Sequence, residues 1–309
     1  MTRCPITYEA LPEGVKYSHA GLRRLSPRLT ELRDLPWTAA VQRKEAVLRA
    51  SKMSIQGMQP KLSARINVPE GRFDIVDRVG KFILKPQTDY PEVPENEDLT
   101  MRLAGTAGIE APVHGMVYCP DGTRTYFIKR FDRSAKGGKV PVEDFAQLSG
   151  RTRDTKYDSS MEKVADVVGR FCTFPVVEKL KLFRLTLFNY LTGNEDAHLK
   201  NFSLITRDGI VGLSPVYDLL NTTIVLDRPI EEVALPIDGR KKNLSRSLFV
   251  NYFGKERLGL TGGTVDEVLS GLARGMREWE ELIGISFLTD RMKERYLEVL
   301  GVRRKILEI

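Results

Sequence analysis

Residues 174–191, FPVVEKLKLFRLTLFNYL, are apolar around nearly the whole circumference of a helix, whereas Gly193–Ile205, GNEDAHLKNFSLI, holds two acids, a histidine, a lysine and two asparagines. A helix with no broad polar face is buried on most sides, so the chain must build a core around it. The cluster that follows then stands at the edge of that core, where charged groups need partners or a task. At 309 residues the chain exceeds the usual size of one domain, which predicts two lobes.

Around that helix the hydrophobic period changes twice. Residues 1–50 read as mixed or helical, with helical spacing toward the end of LTELRDLPWTAAVQRKEAVLRAS. From Lys61 the segments LSARINV, FDIV and FILKP, separated by the turns PEGR and RVGK, read as a short antiparallel meander. ENEDLTMRLAGTAG then predicts a helix capped by Asn96, with Glu97 in its first turn. APVHGMVY and TYFIKRFDR return as strands, and SAKGGKVP (134–141) reads as a hinge. VEDFAQLSG, SSMEKVADVVGRF, TVDEVLSGLARGMREWEELI and FLTDRMKERYLEVLGV have helical spacing. The predicted division is a sheet lobe over 1–133 and a mainly helical lobe over 134–309.

Hydrophobic content of 41% with 29% charged residues suits a soluble globular chain. No apolar run approaches the roughly 18 residues that span a bilayer, and the N-terminus lacks the apolar core of a secretory signal. The expected setting is cytoplasmic, with delivery to another cell as the alternative. Cys4, Cys119 and Cys172 lack Cys-x-x-Cys spacing, which predicts free thiols; Cys4 with His19 lacks the second pair that a zinc site needs. A net charge of +7 and a pI near 9.2 suit a polyanionic ligand or an acidic partner. The basic runs at 23–24, 239–242 and 303–305 carry no interleaved aromatics and read as solvated surface.

Within the polar cluster, TRDG turns the strand FSLI back into IVGL, and SPVYD brings Asp218 up. Pairing Ile205 with Ile210 would set Asn201 and the segment 214–218 at one end of the hairpin. Asp196, Asn201 and Asp218 then form a set of hard oxygen groups suited to magnesium and phosphate. The Asp196-to-Asn201 spacing equals that of a kinase catalytic loop. On that reading Asp196 accepts or orients the proton of an attacking hydroxyl, and Asn201 and Asp218 hold magnesium. Capping of helices and turns is the structural alternative, and His198 reads either as support for the loop or as a participant. Upstream, Lys85 in FILKP could neutralise phosphates with Glu97 as its partner. The loop SKMSIQGMQPKLS, with Ser54, Gln56, Gly57, Met58, Gln59 and Lys61, could cover them.

SIQGMQPKLSA, FILKP, ENE, FIKRFDR, EDFAQLSG, GNEDAHLKNFSL and LSPVYDLL stand in an order that resembles the HipA-like serine/threonine kinases. The resemblance implies an α+β, bilobed protein-kinase-like fold and toxin activity in a toxin–antitoxin system, with an aminoacyl-tRNA synthetase as substrate. It implies ATP and Mg2+, Asp196 as the catalytic residue, Asn201 and Asp218 as metal ligands and Lys85 as the phosphate lysine. His198, Lys200 and Tyr217 join the nucleotide-binding set, the backbone of Lys129, Arg130 and Phe131 meets the adenine, and Gln56–Lys61 cover the phosphates. Ser54 falls at the autophosphorylated serine. Implied partners are a HipB-like DNA-binding antitoxin and a small HipS-like protein, with nucleic acid met only indirectly and no membrane. Larger members carry a further N-terminal subdomain, so the chain is similar to the HipT branch, although Gln56 replaces the second serine of that branch's loop. The alternatives are a small-molecule or lipid phosphotransferase, a pseudokinase acting by binding, and a hydrolase built on Asp196, Asp218 and His198.

Overall fold

The computed structural model describes residues 2–49, 59–134, 138–226 and 231–309. Ser54, Gln56, Gly57 and Met58 lie outside the described residues, as does the middle of the expected hinge at 135–137. The chain divides into two compact units. The first comprises residues 1–99, 112–138 and 285–288, and the second comprises 100–111, 139–284 and 289–309. Thr100–Ala111 belongs to the second unit, which a single division at residue 133 does not anticipate.

Helices α1 (His19–Leu25) and α2 (Ala39–Arg49) precede a five-stranded antiparallel sheet in the first unit. Its strands are β1 (Leu62–Asn67), β2 (Arg72–Ile75), β3 (Phe82–Lys85), β4 (His114–Tyr118) and β5 (Arg124–Lys129), in the order β2-β1-β3-β5-β4. The expected meander is therefore corrected: β1, not β2, is the middle strand of the first three. Leu62, Ser63 and Ala64 are buried in succession, so both faces of β1 are covered there, as an inner strand requires. Phe73, Phe82 and Phe127 meet with ring centroids 5.4–6.1 Å apart. They pack with Cys4, Ile6, Leu22, Leu25 and Leu29 in one core, and each buried aromatic contributes about 1.5–3 kcal/mol.

Helix α3 (Val93–Thr106) follows β3 and begins three residues before Asn96. Pro94 sits in its first turn, where a missing N–H costs nothing. The amide of Asn96 donates to the Glu92 carbonyl at 2.9 Å, so Asn96 is helical, not a cap, and Glu97 falls one turn later than expected.

The second unit holds a three-stranded sheet of β6 (Val142–Asp144), β7 (Ser203–Arg207) and β8 (Ile210–Leu213) in that order. Its helices are α4 (Phe145–Leu148), α5 (Met161–Phe171), α6 (Pro175–Leu191), α7 (Thr222–Val225), α8 (Gly262–Ile285) and α9 (Asp290–Leu307), with a π-helical stretch over Leu248–Arg257. VED is a strand and not the start of a helix: its edge pairs with β7, and Asp144 then caps α4. Helix α6 is buried over its C-terminal half, including Leu182, Phe183, Leu187, Phe188, Tyr190 and Leu191, whereas Val176 and Val177 in its first turn are exposed, so the expected burial on most faces holds only for that half. The β7–β8 register is also corrected. Arg207 opposes Ile210 and Leu204 opposes Leu213, because Asp208 (φ 50°) and Gly209 (φ 78°) form a two-residue left-handed turn. All three cysteines are buried and unbridged. Among the described residues no helix is long and apolar enough to cross a membrane.

Candidate active site

The polar loop begins where α6 stops. Gly193 (φ +73°) turns the chain, and a Cβ there would lie 2.5 Å from Asn221 Oδ1 and 2.8 Å from Thr223 Oγ1. Only glycine fits such an approach. Asn194, fully buried, donates from Nδ2 to Asn189 Oδ1 (3.1 Å) and accepts at Oδ1 from the Asp196 amide (3.2 Å). Glu195 accepts from Thr223 Oγ1 (2.6 Å) and Arg303 Nη2 (2.9 Å). Burial pushes the Glu195 carboxyl up despite these two partners. Arg303 also donates to the Tyr190 carbonyl (2.6 Å) and lies 5.1 Å from the Tyr190 ring. The basic run at 303–305 is thus not uniformly solvated: Arg303 is 7% exposed.

These bonds fix the backbone on both sides of Asp196, whose carboxylate is half exposed. Tyr157 donates its hydroxyl to Asp196 Oδ1, and His198 Nε2 stands 3.9 Å from the same oxygen. Burial lowers the His198 pKa against the pull of Asp196, so the imidazole is held neutral. Its Nδ1 is buried and makes no hydrogen bond among the described residues. A 3₁₀ turn, Leu199–Asn201, then delivers Asn201, whose carboxamide makes no hydrogen bond among the described residues.

Lys200 is turned to Asp144 Oδ2 at 2.6 Å, and Asp144 in turn caps α4 by accepting from Gln147 N. Tyr217 donates to the Lys200 carbonyl (2.9 Å) and shares a hydrogen bond with Ser203 Oγ (2.5 Å). Both side chains brace the loop through these contacts. The Tyr217 bond also sets the residue before Asp218 against the residue before Asn201. Asp218 has φ +55°, a left-handed backbone uncommon outside glycine, and its charge is felt at His198.

In the first unit Lys85 Nζ is 2.5 Å from Glu97 Oε1, and both side chains are at most 4% exposed. Lys85 also lies 5.7 Å from the Tyr126 ring. The β1–β3 register pairs Leu62 with Leu84, and one further step brings Lys61 opposite Lys85. Gln59, like Lys61, is half-buried just before β1. At the end of β5 the amides of Lys129 and Arg130 donate to Val113 O and Lys81 O, both at 2.8 Å. Those two N–H groups are therefore already paired within the protein. Arg130 makes a two-pronged pair with Asp132 (2.8 and 2.6 Å).

A sheet unit with a buried strand lysine paired to a helix glutamate, and a helical unit with an Asp-x4-Asn loop beside a second aspartate, is the arrangement of a protein-kinase-like fold. The family model described as the HipA-like C-terminal domain matches residues 53–279, and the chain belongs to that family. A Haemophilus influenzae protein, named provisionally as a kinase, is 30% identical over 67% of this chain and 64% of its own length. The serine/threonine-protein kinase toxin HipA of Shewanella oneidensis is 29% identical over 60% of this chain and 47% of that protein. The matched segments thus span about half to two thirds of these relatives. A solved Shewanella oneidensis HipA, in complex with HipB and its operator DNA, superposes with a TM-score of 0.70 at 22% identity, covering 97% of this chain and 75% of that one. The Helicobacter pylori proinflammatory kinase CtkA gives 0.53 at 14% identity over 73% and 86%.

Proposed function

We propose that this chain transfers the γ-phosphoryl group of ATP to a serine or threonine of a protein, using Asp196 as the residue that orients and deprotonates the acceptor. The observation that carries the reading lies wholly in the second unit: Tyr217 tied to the Lys200 carbonyl brings Asp218 beside the Asp196–Asn201 loop. Asn201 and Asp218 supply oxygens of the kind magnesium takes, one neutral and one charged, leaving room for phosphate oxygens. Magnesium, when bound, neutralises the phosphate charge. The Asn201 carboxamide, which makes no hydrogen bond among the described residues, fits that role. Lys85, fixed by Glu97, is assigned to the nucleotide phosphates, with Lys61 as a second cation on the same strand pair. Gln56–Gln59, Arg130, Phe131 and the neutral His198 are assigned to the surrounding nucleotide site. Ser54, outside the described residues, is the proposed autophosphorylation site.

The kinase toxin among the relatives supports a toxin role, and the HipB complex of the solved HipA supports a HipB-like antitoxin as partner. An aminoacyl-tRNA synthetase as substrate and a HipS-like protein as further partner rest on the family resemblance. The test is transfer of label from γ-labelled ATP into a bacterial lysate, with lipid and aminoglycoside acceptors alongside. The reading expects acid-stable label on protein that Asp196→Asn abolishes. Label appearing only on lipid or aminoglycoside would replace it with a small-molecule phosphotransferase. Expression of the wild type should slow bacterial growth while Asp196→Asn does not.

A further inference from the structure

Tyr157 belongs to none of the sequence motifs, yet its hydroxyl is bonded to the carboxylate on which the proposed chemistry turns. It sits in the connection between α4 and α5, which is anchored at each end. The Arg151 amide donates to Ala146 O at 2.7 Å, and Ser160 Oγ caps α5. Between those anchors the Leu199 amide donates to Lys156 O at 3.3 Å, stitching this connection to the catalytic loop itself. The Tyr157 ring meets His198 edge-on, centroids 5.0 Å apart at 83°, and the Lys156 ammonium lies 5.0 Å from its centroid. Both neighbours of Asp196, Tyr157 and His198, approach Oδ1; Oδ2 has no partner among the described residues.

We infer that Tyr157 is a positioning residue for Asp196, holding Oδ1 so that Oδ2 takes the proton of the acceptor hydroxyl. The inference rests on the kinase reading above. In the step it serves, the acceptor oxygen bonds to the γ-phosphorus and the bond from that phosphorus to the bridging oxygen breaks. ADP leaves with the bonding pair, and the acceptor proton passes to Asp196 Oδ2. The Tyr157 proton stays in place throughout. Burial and the Asp196 charge both push the phenol's pKa up, so Tyr157 remains a donor at neutral pH and does not act as an acid. The groups facing it are Asp196, His198 and Lys156. A carboxylate turned about its bond loses alignment with its proton, and a misplacement of about 1 Å can cost about a hundredfold in rate.

Tyr157→Phe keeps the ring against His198 and removes only the donor. Steady-state transfer from labelled ATP should show kcat about tenfold lower with KM for ATP within about twofold of wild type, and an unchanged melting temperature. Tyr157→Ala, which also strips the ring from His198, should fall further. Independently of turnover, NMR of ring-labelled tyrosine should show the Tyr157 phenol titrating at lower pH in Asp196→Asn than in wild type. Wild-type kcat in Tyr157→Phe overturns the positioning role. A faster Tyr157→Phe also overturns it, because Tyr157 would then occupy the acceptor's place. Absence of Asp196-dependent transfer in wild type, with the NMR response intact, removes the kinase reading and this role with it, and leaves only the contact.

Discussion

Asp218 holds a left-handed backbone that most residues avoid at a cost of about 1 kcal/mol or more. Asparagine tolerates the same conformation, so Asp218→Asn should melt with the wild type while losing magnesium-dependent transfer, a pairing readable by calorimetry and label transfer on one sample. The opposite balance applies at Lys85. Removing one partner of a buried ion pair strands the other, and Lys85→Met should cost about 3–5 kcal/mol in urea unfolding as well as activity. The double variant with Glu97→Leu should recover most of the stability and none of the activity. At Asp132, burial pushes the carboxyl up, but the hydrogen bonds and charge of Arg130, with the charge of Arg133, outweigh it and hold the group low. Its folded value lies below its unfolded one, so its contribution is whole at neutral pH and is lost as pH falls through the carboxylate range. Asp132→Asn should flatten the acid limb of urea midpoint against pH. The Lys85–Glu97 pair and the approach of the Asp218 segment to the Asp196–Asn201 loop were legible from spacing and residue type, while the chemical roles of these residues are proposals. Tyr157 was not legible: one tyrosine in a polar loop carries no periodicity, and its partner lies 39 residues away.

Among the elements, α6 was readable to within a residue, since the burial of its C-terminal half writes itself as a dense apolar run. Sheet order was not, because β1, β2 and β3 are similar short apolar runs and only long-range burial decides which is central. The hairpin register turned on the Asp208–Gly209 turn, where counting from a longer loop shifted the pairing by two residues and kept the same face inward. Arg303 was misread as surface because arginine is rarely buried. It ties α9 to the Asp196–Asn201 loop and the end of α6 through Glu195 and the Tyr190 carbonyl, 108 and 113 residues distant. Arg303→Met should therefore destabilise the second unit by about 3 kcal/mol or more. Transfer should fall further than the folded fraction does, as measured by unfolding and kcat on the same preparations. Gly193→Ala should act similarly by displacing Asn221 and Thr223.

At the scale of the whole molecule, the proposed chemistry draws on a lysine–glutamate pair and on an acid–amide loop. A ligand that binds only the folded chain stabilises it by mass action. Mg·ATP at about a hundredfold over its dissociation constant should add about 2.7 kcal/mol to the wild type and much less to Lys85→Met or Asp218→Asn. The most direct measurement is single-turnover transfer from γ-labelled ATP by purified protein, with and without magnesium, in wild type and in folded Asp196→Asn, Asp218→Asn and Lys85→Met. The account predicts magnesium-dependent label on protein in the wild type and loss of at least about a hundredfold in rate in each variant. Transfer that persists undiminished in Asp196→Asn or Lys85→Met would contradict it.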